Sequence, residues 1–263
     1  MRKWSIFSLF TIYVNNVIIL LEKQNGDSMI KIYGKNCINE CIRSKGKIEK
    51  IFILDQQAKK DNKFISLLND KRIPYEIVAK GKMDSLFGSN HQGYGAYRAD
   101  YKIYEEGILD ELSGSGMRVV ILDGIVDPHN LGAILRSVDA FGYDAVILPK
   151  NRSANITEIV AHVSTGAIEH VKIAYVNSLN TIVTRLKDMG YWICGTDAKG
   201  TTLASQIDPS LNLVIIIGSE GFGMSKTLVN ACDYLITIPM KGHVNSLNAS
   251  VSAGIVLSQL IKQ

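Results

Sequence analysis

The chain has 263 residues, 46% hydrophobic and 21% charged, which is enough apolar material for one large α/β domain or two smaller ones and excludes disorder as the main state. Its 22 Gly and 5 Pro show no collagen-like or low-complexity bias, and 4 Cys are too sparse for a disulfide-built secreted scaffold, so a reducing cytoplasm is the simpler setting. The net charge of +4 is unevenly spread: Met29 to Tyr101 hold 14 Lys and Arg against 8 Asp and Glu, whereas Lys102 to Gln263 hold 12 against 15. A basic front half on a slightly acidic rear half fits a nucleic-acid-binding domain attached to a catalytic one.

Trp4 to Leu21 is an uncharged run behind Arg2 and Lys3, but Asn15 and Asn16 interrupt it and no small-residue cleavage site follows. A second methionine, Met29, opens an ordinary globular pattern. Residues 1–28 are therefore expected to be a leader from an upstream start, in preference to a membrane anchor or a cleaved signal. No later run is long enough to span a bilayer.

From Met29 onward short apolar runs alternate with helical patterns. Ile38, Cys41 and Ile42 share a helix face, Ile51 to Leu54 reads as a buried strand, Phe64 to Leu68 as a helix and Tyr75 to Val78 as a strand. These make a small α/β unit over 29–104. Glu105 to Met117, with Gly114 and Gly116, is expected to be a flexible connection. Over 118–263, strands are expected at Val119 to Leu122, Ala145 to Leu148, Val171 to Val176, Tyr191 to Gly195, Leu213 to Ile217 and Leu235 to Ile238. Helices are expected at Leu131 to Phe141, Ile156 to Val163, Leu179 to Met189 and Ser246 to Ile261. Continuous apolar strands between amphipathic helices indicate a parallel sheet covered on both faces.

The cysteines (Cys37, Cys41, Cys194, Cys232) and the five histidines lack metal-ligand spacing, and no histidine follows a nucleophile motif, so zinc and Ser-His-Asp chemistry find no support. Three clusters at strand ends differ in kind. The first runs from Asp123 to Arg136 and contains Asp127-Pro128-His129-Asn130-Leu131-Gly132-Ala133; Asn130 is placed to cap the helix, with Arg136 nearly two turns along. The second is Gly218-Ser219-Glu220-Gly221-Phe222-Gly223-Met224, whose glycine spacing reverses the dinucleotide fingerprint and disfavours a nicotinamide enzyme. The third is Ile238 to Val251, where Ser246 and Asn248 offer a hydroxyl and an amide to a ligand or to backbone ends.

In this order the three clusters closely resemble the three motifs of the SpoU (TrmH-like) RNA ribose 2′-O-methyltransferases, within the SPOUT superfamily. The front unit is similar to the L30e-like substrate-binding domain of the branch that methylates guanosine in 23S rRNA, on Ile32-Tyr33-Gly34 and His91-Gln92-Gly93. The resemblance implies an α/β catalytic fold with a deep trefoil knot, an exception to the usual absence of knots. It further implies S-adenosylmethionine as methyl donor with no metal, a homodimer, RNA as partner (23S rRNA foremost) and no stable membrane partner. Carried over residue by residue, it assigns cofactor contacts to Gly218, Ile238 and Leu247, with Thr196 as a fourth, and catalytic or site-shaping roles to Asn130, Arg136, Glu220, Ser246 and Asn248.

The implied reaction moves a methyl group from a sulfonium to a ribose hydroxyl, a poor nucleophile. Arg136 as general base would have to shed its proton from a pKa above about 12, a cost of roughly 7 kcal/mol at neutral pH. A fixed cation that binds phosphate and stabilises the developing alkoxide is the preferred role. Asn130 would orient the ribose or Arg136, and Glu220 would tether Arg136 or Asn130. Lys45, Lys47, Lys50, Lys59, Lys60, Lys71, Arg72, Lys80 and Lys82 would supply phosphate contacts. A tRNA enzyme of the same family and a non-catalytic RNA-binding or ribosome-assembly protein are the alternatives.

Overall fold

A computed structural model of the chain describes residues 29–244 and 246–261, together with the backbone of one short antiparallel pair, β1 (Tyr13–Val14) with β2 (Val17–Ile18). The expected leader otherwise lies outside the described residues.

The front unit is a mixed sheet of β3 (Met29–Tyr33), β4 (Ile48–Leu54), β5 (Tyr75–Val78) and β6 (Tyr94–Ala99), in the order β3-β6-β4-β5. Successive side chains of a strand face opposite ways, and β4 uses both faces. Ile51 and Ile53 join the core under α1 (Lys35–Arg43) and, beyond the single turn α2 (Asp55–Ala58), α3 (Asn62–Asp70); Phe52 meets Val78, Met83 and Phe87 beneath α4 (Lys80–Phe87). The expected face of α1 is buried and includes Cys37 beside Ile38, Cys41 and Ile42. His91 is buried and structural: its Nδ1 accepts the Gly93 N–H at 2.8 Å, and its Nε2 lies 2.9 Å from Asp84.

The rear unit is a parallel sheet whose described strands are β7 (Ile103–Tyr104), β8 (Val119–Asp123), β9 (Ala145–Pro149), β10 (Lys172–Val176), β11 (Trp192–Thr196), β12 (Leu213–Gly218) and β13 (Tyr234–Ile236). Their order is β13-β11-β12-β8-β9-β10-β7. Alternate residues feed two cores. Val120, Leu122, Val146 and Ile215 pack under α6 (Pro128–Ala140), α7 (Glu158–Val163) and α10 (Ala249–Gln259), while Val119, Ile121, Ile147 and Ile216 pack under α5 (Ile108–Leu112), α8 (Leu179–Asp188) and α9 (Lys226–Ala231). This is the expected parallel sheet covered on both faces.

Several expectations are corrected. Glu105 to Met117 is not a loose connection: Ile108, Leu109 and Leu112 of α5 are buried in the second core, and β7 just before it pairs with β10. Asn130 does not cap α6. Asp127 does, its side chain accepting the His129 N–H at 2.9 Å, with Pro128 at the first helical position where a missing N–H costs nothing. The last strand ends at Ile236, and α10 starts at Ala249 because Asn248 is its cap.

The two units are joined by more than the chain. The rings of Tyr33 and His162 stack with centroids 4.1 Å apart, His170 Nε2 lies 3.1 Å from Glu40, and Arg98 Nη2 donates to Glu169 Oε2 at 3.2 Å with both side chains almost fully buried. No helix among the described residues is long and apolar enough to cross a membrane.

Candidate active site

Strands β8 and β12 are hydrogen-bonded neighbours, yet the chain leaves them in opposite directions: β8 leads through α6 to β9, and β12 leads to β13 at the far edge. Where strand order reverses, loops at the carboxyl ends part and leave a crevice. The three motif clusters follow β8, β12 and β13, so all three deliver their residues to this end of the sheet.

Beside the ends of β11, β12 and β13 lies a cleft of about 400 Å³. Thr196, Gly218, Ile238 and Leu247, the four expected cofactor positions, all line it, together with Glu220 and Ser246. Thr196 Oγ1 donates to the Ile216 carbonyl at 3.2 Å, which holds the end of β11 against β12. Gly218 is required by packing: a Cβ there would sit 2.4 Å from the Gly223 carbonyl carbon and 2.5 Å from the Met224 nitrogen. The loop 219–223 can therefore fold back over the strand end, closed by Ser219 N–H to Gly223 O and Gly223 N–H to Ser219 O. Backbone groups and apolar side chains make up much of this wall, and its charged lining residues are the two carboxylates Asp197 and Glu220, which suits a ligand with a large apolar part and a net positive charge.

The remaining expected residues are placed unevenly. Asn248 Nδ2 donates to Asn130 Oδ1 at 3.0 Å, so the first and third motifs meet through two amides. Glu220 is exposed and has no hydrogen bond or ion pair with a described residue; the expected tether to Arg136 or Asn130 is not formed. Arg136 is exposed on α6, lines neither this cleft nor the one next to it, and has no described partner.

That second cleft, of about 620 Å³, lies between the ends of β8 and β12 and shares Ser219, Glu220, Gly223 and Ala249 with the first. Asn130 lines it. Its aspartates are already engaged: Asp123 Oδ2 accepts the Ser225 N–H at 2.8 Å, and Asp127 caps α6. Sequence reading missed Arg152 in this cleft, because it comes from the loop after β9, outside all three motifs. Its signal is the backbone, held at φ 58°, which is uncommon for a residue with a Cβ.

Residues 117–258 match the SpoU rRNA methylase family, over more than half of the chain. The chain belongs to the SpoU rRNA methylase family. Residues 31–104 match a second family model, described as RNA 2′-O ribose methyltransferase substrate binding. A Staphylococcus saprophyticus protein named as a TrmH family tRNA/rRNA methyltransferase is 44% identical over 242 residues, covering 89% of this chain and 96% of that protein. Among solved structures, the SpoU methyltransferase AviRb from Streptomyces viridochromogenes, in complex with AdoMet, superposes with a TM-score of 0.72 at 22% identity over 89% of each chain. An AdoMet-bound rRNA methyltransferase from Sinorhizobium meliloti superposes with a TM-score of 0.73 at 21% identity over 88% of this chain and 86% of that one. The SpoU family is thus an RNA-methylating one, and this chain shares its two-part fold. Among the described residues no group of three or more His, Cys, Asp or Glu is placed to hold a metal ion.

Of the nine expected phosphate-binding cations, Lys50 and Lys82 pair with Glu76, Lys59 with Asp55, and Lys80 with Asp84. Lys45, Lys60, Lys71 and Arg72 have no described ion-pair partner. Lys45 and the pair Lys71-Arg72 sit in the two turns that enter the parallel strands β4 and β5, at one end of the front sheet.

Proposed function

We propose that the chain transfers the methyl group of S-adenosylmethionine to a ribose 2′-hydroxyl of RNA, with a guanosine of 23S rRNA as the target. The observation that carries this is the convergence of Thr196, Gly218, Ile238 and Leu247, from three separate segments, on one cleft beside the Asn130–Asn248 pair. Support for rRNA comes from the rear unit, which matches a family described as rRNA methylases, and from the Sinorhizobium meliloti neighbour, an rRNA methyltransferase that aligns across both units.

Bound in the first cleft, S-adenosylmethionine would present an electrophilic methyl sulfonium. Gly218 and the 219–223 loop would hold it through backbone groups, Ile238 and Leu247 would pack against its apolar part, and Thr196 would line the same cleft. Asn130, whose Oδ1 is already taken by Asn248, keeps its amide N–H groups for the ribose, and Ser246 offers a hydroxyl from the same rim. Orientation of this kind is the main resource for such a displacement, since aligned reactants gain effective molarities of about 10⁵ M or more.

Arg136 supplies a fixed cation, and it does so across a homodimer: exposed, without a described partner and outside its own chain's clefts, it is free to serve the neighbouring subunit. The C-terminal segment, which returns as α10 to pack on α6 and β12, forms the trefoil knot in this reading. The enzyme works in the cytoplasm, where its RNA is.

The test is transfer of labelled methyl from S-adenosylmethionine to protein-free 23S rRNA and, separately, to bulk tRNA. Alkali-resistant label in rRNA is the expected result. Label in tRNA alone overturns the substrate, and cofactor binding without transfer to either RNA favours a non-catalytic role.

A further inference from the structure

Phe222 is the most exposed large apolar side chain of the described residues, at 94%. It stands at the tip of the loop that Ser219 and Gly223 close with two backbone hydrogen bonds, between Gly221 at φ 89° and Gly223 at φ 65°. Both glycines adopt a conformation that L side chains avoid, so the tip is shaped to push Phe222 outward, and its ring cannot reach the core. An aromatic ring held this way gains free energy only when something covers it.

The loop also forms the wall shared by the two clefts. Its inner side, at Gly218 and Ser219, lines the cofactor cleft, while Phe222 lines only the second, larger cleft at the reversal of strand order. Arg152 and Asn130 line that same cleft. Arg152 is exposed, and its guanidinium has no described partner.

We infer that this second cleft takes the nucleotide to be methylated, its base stacked on Phe222 and its phosphate held by Arg152, which puts the ribose between the base and the cofactor cleft, next to Asn130. The inference rests on the function proposed above. Its volume of about 620 Å³ lies within the roughly 300–1,000 Å³ of small-molecule sites. Unpaired RNA bases are recognised mainly by stacking on aromatic rings, with the backbone held by cations. A cleft with one bare ring and one bare guanidinium, next to a methyl-donor site, supplies both.

The test compares Phe222→Ala, Phe222→Leu, Phe222→Trp and Arg152→Ala with the unaltered chain, using whichever of protein-free 23S rRNA and bulk tRNA that chain methylates. Replacing a stacking ring by a small side chain should raise the RNA KM about 10- to 100-fold. Phe222→Leu should fall with Phe222→Ala, because stacking needs a flat ring, and Phe222→Trp should stay within about threefold of the unaltered chain. Arg152→Ala should raise the RNA KM and make its salt dependence shallower by one phosphate contact, a slope change of about 0.7 for a single strand. Calorimetric affinity for S-adenosylmethionine, melting temperature and mass by light scattering should not change in any variant. Full activity in Phe222→Leu, or an unaltered salt slope in Arg152→Ala, overturns the inference. A Phe222→Ala chain that loses its partner subunit also overturns it, by showing that a second copy covers the ring. If the unaltered chain binds S-adenosylmethionine yet methylates neither RNA, the proposed function itself has failed and this inference falls with it; loss confined to the variants tests the cleft alone.

Discussion

Asn248 and Asn130, 118 residues apart, are joined by a 3.0 Å amide hydrogen bond whose direction is fixed by a third partner. Asn248 Oδ1 is committed to the Ser250 N–H as the cap of α10, so its Nδ2 must be the donor to Asn130. One side chain therefore starts the last helix and sets the amide that faces the second cleft.

The two duties separate by substitution. Asn248→Asp keeps an oxygen for the cap and removes the donor, so melting should be nearly unaltered while methyl transfer falls. Asn248→Ala loses both and should also cost about 1 kcal/mol of stability in urea unfolding. Equal melting temperatures for the two variants would contradict this division.

Gly218→Ala introduces a Cβ against backbone atoms that have no rotamer to yield. The expected cost is about 1–3 kcal/mol of stability, as for other overpacked sites. The 219–223 loop must move off the strand end, so affinity for S-adenosylmethionine by calorimetry should drop at least about tenfold, equivalent to about 1.4 kcal/mol.

Arg98 and Glu169 form a buried pair between the two units, and the Arg98 guanidinium also lies 3.6 Å from the centroid of the Tyr101 ring. Removing one partner strands a charge. Glu169→Ala should cost about 3–5 kcal/mol, whereas an apolar double variant, Arg98→Met with Glu169→Leu, should be close to neutral or more stable. Denaturant unfolding of the three chains distinguishes these outcomes.

Glu76 is held well below the usual carboxylate range, to about 2, first by the Lys50 hydrogen bond at 2.7 Å and then by Lys82. A depressed folded-state pKa stabilises the fold fully above the unfolded value of about 4.3, and the contribution is lost as pH falls toward 2. The stability difference between the unaltered chain and Glu76→Gln should shrink across that window and stay constant from pH 5 to 8.

Burial pushes the thiols of Cys37, Cys41 and Cys194 up to about 12 and that of Cys232 up to about 11. At pH 8 the native protein should leave a thiol reagent almost unconsumed, since the thiolate is the reactive form. All four cysteines should titrate in guanidinium.

Six of the seven described strands of the rear sheet, β8 to β13, are readable within a residue or two because each is a mainly apolar run, whereas the two-residue β7 (Ile103–Tyr104) shows no such run. What escaped depended on remote partners. The strand β6 (Tyr94–Ala99) reads poorly because it carries Gly95 and Arg98; Gly95 is small because a Cβ would meet the Phe87 ring at 2.5 Å, and Arg98 is buried against the Tyr101 ring and Glu169, which arrives from the other unit. The helix α5 is five residues long and flanked by glycines, too short to show a period. Motif order brings the proposed site residues to one end of the sheet, but it does not show that Asp127 rather than Asn130 caps α6, and the tether expected of Glu220 needs a geometry that no spacing encodes.

The entry of β7 and α5 into the rear sheet sets where this chain can be divided. A fragment beginning at residue 105 would leave β10 as a bare outer strand, a template on which other chains can pair and grow into aggregates. Begun at residue 102, the fragment keeps β7 paired along β10 as its own edge cover.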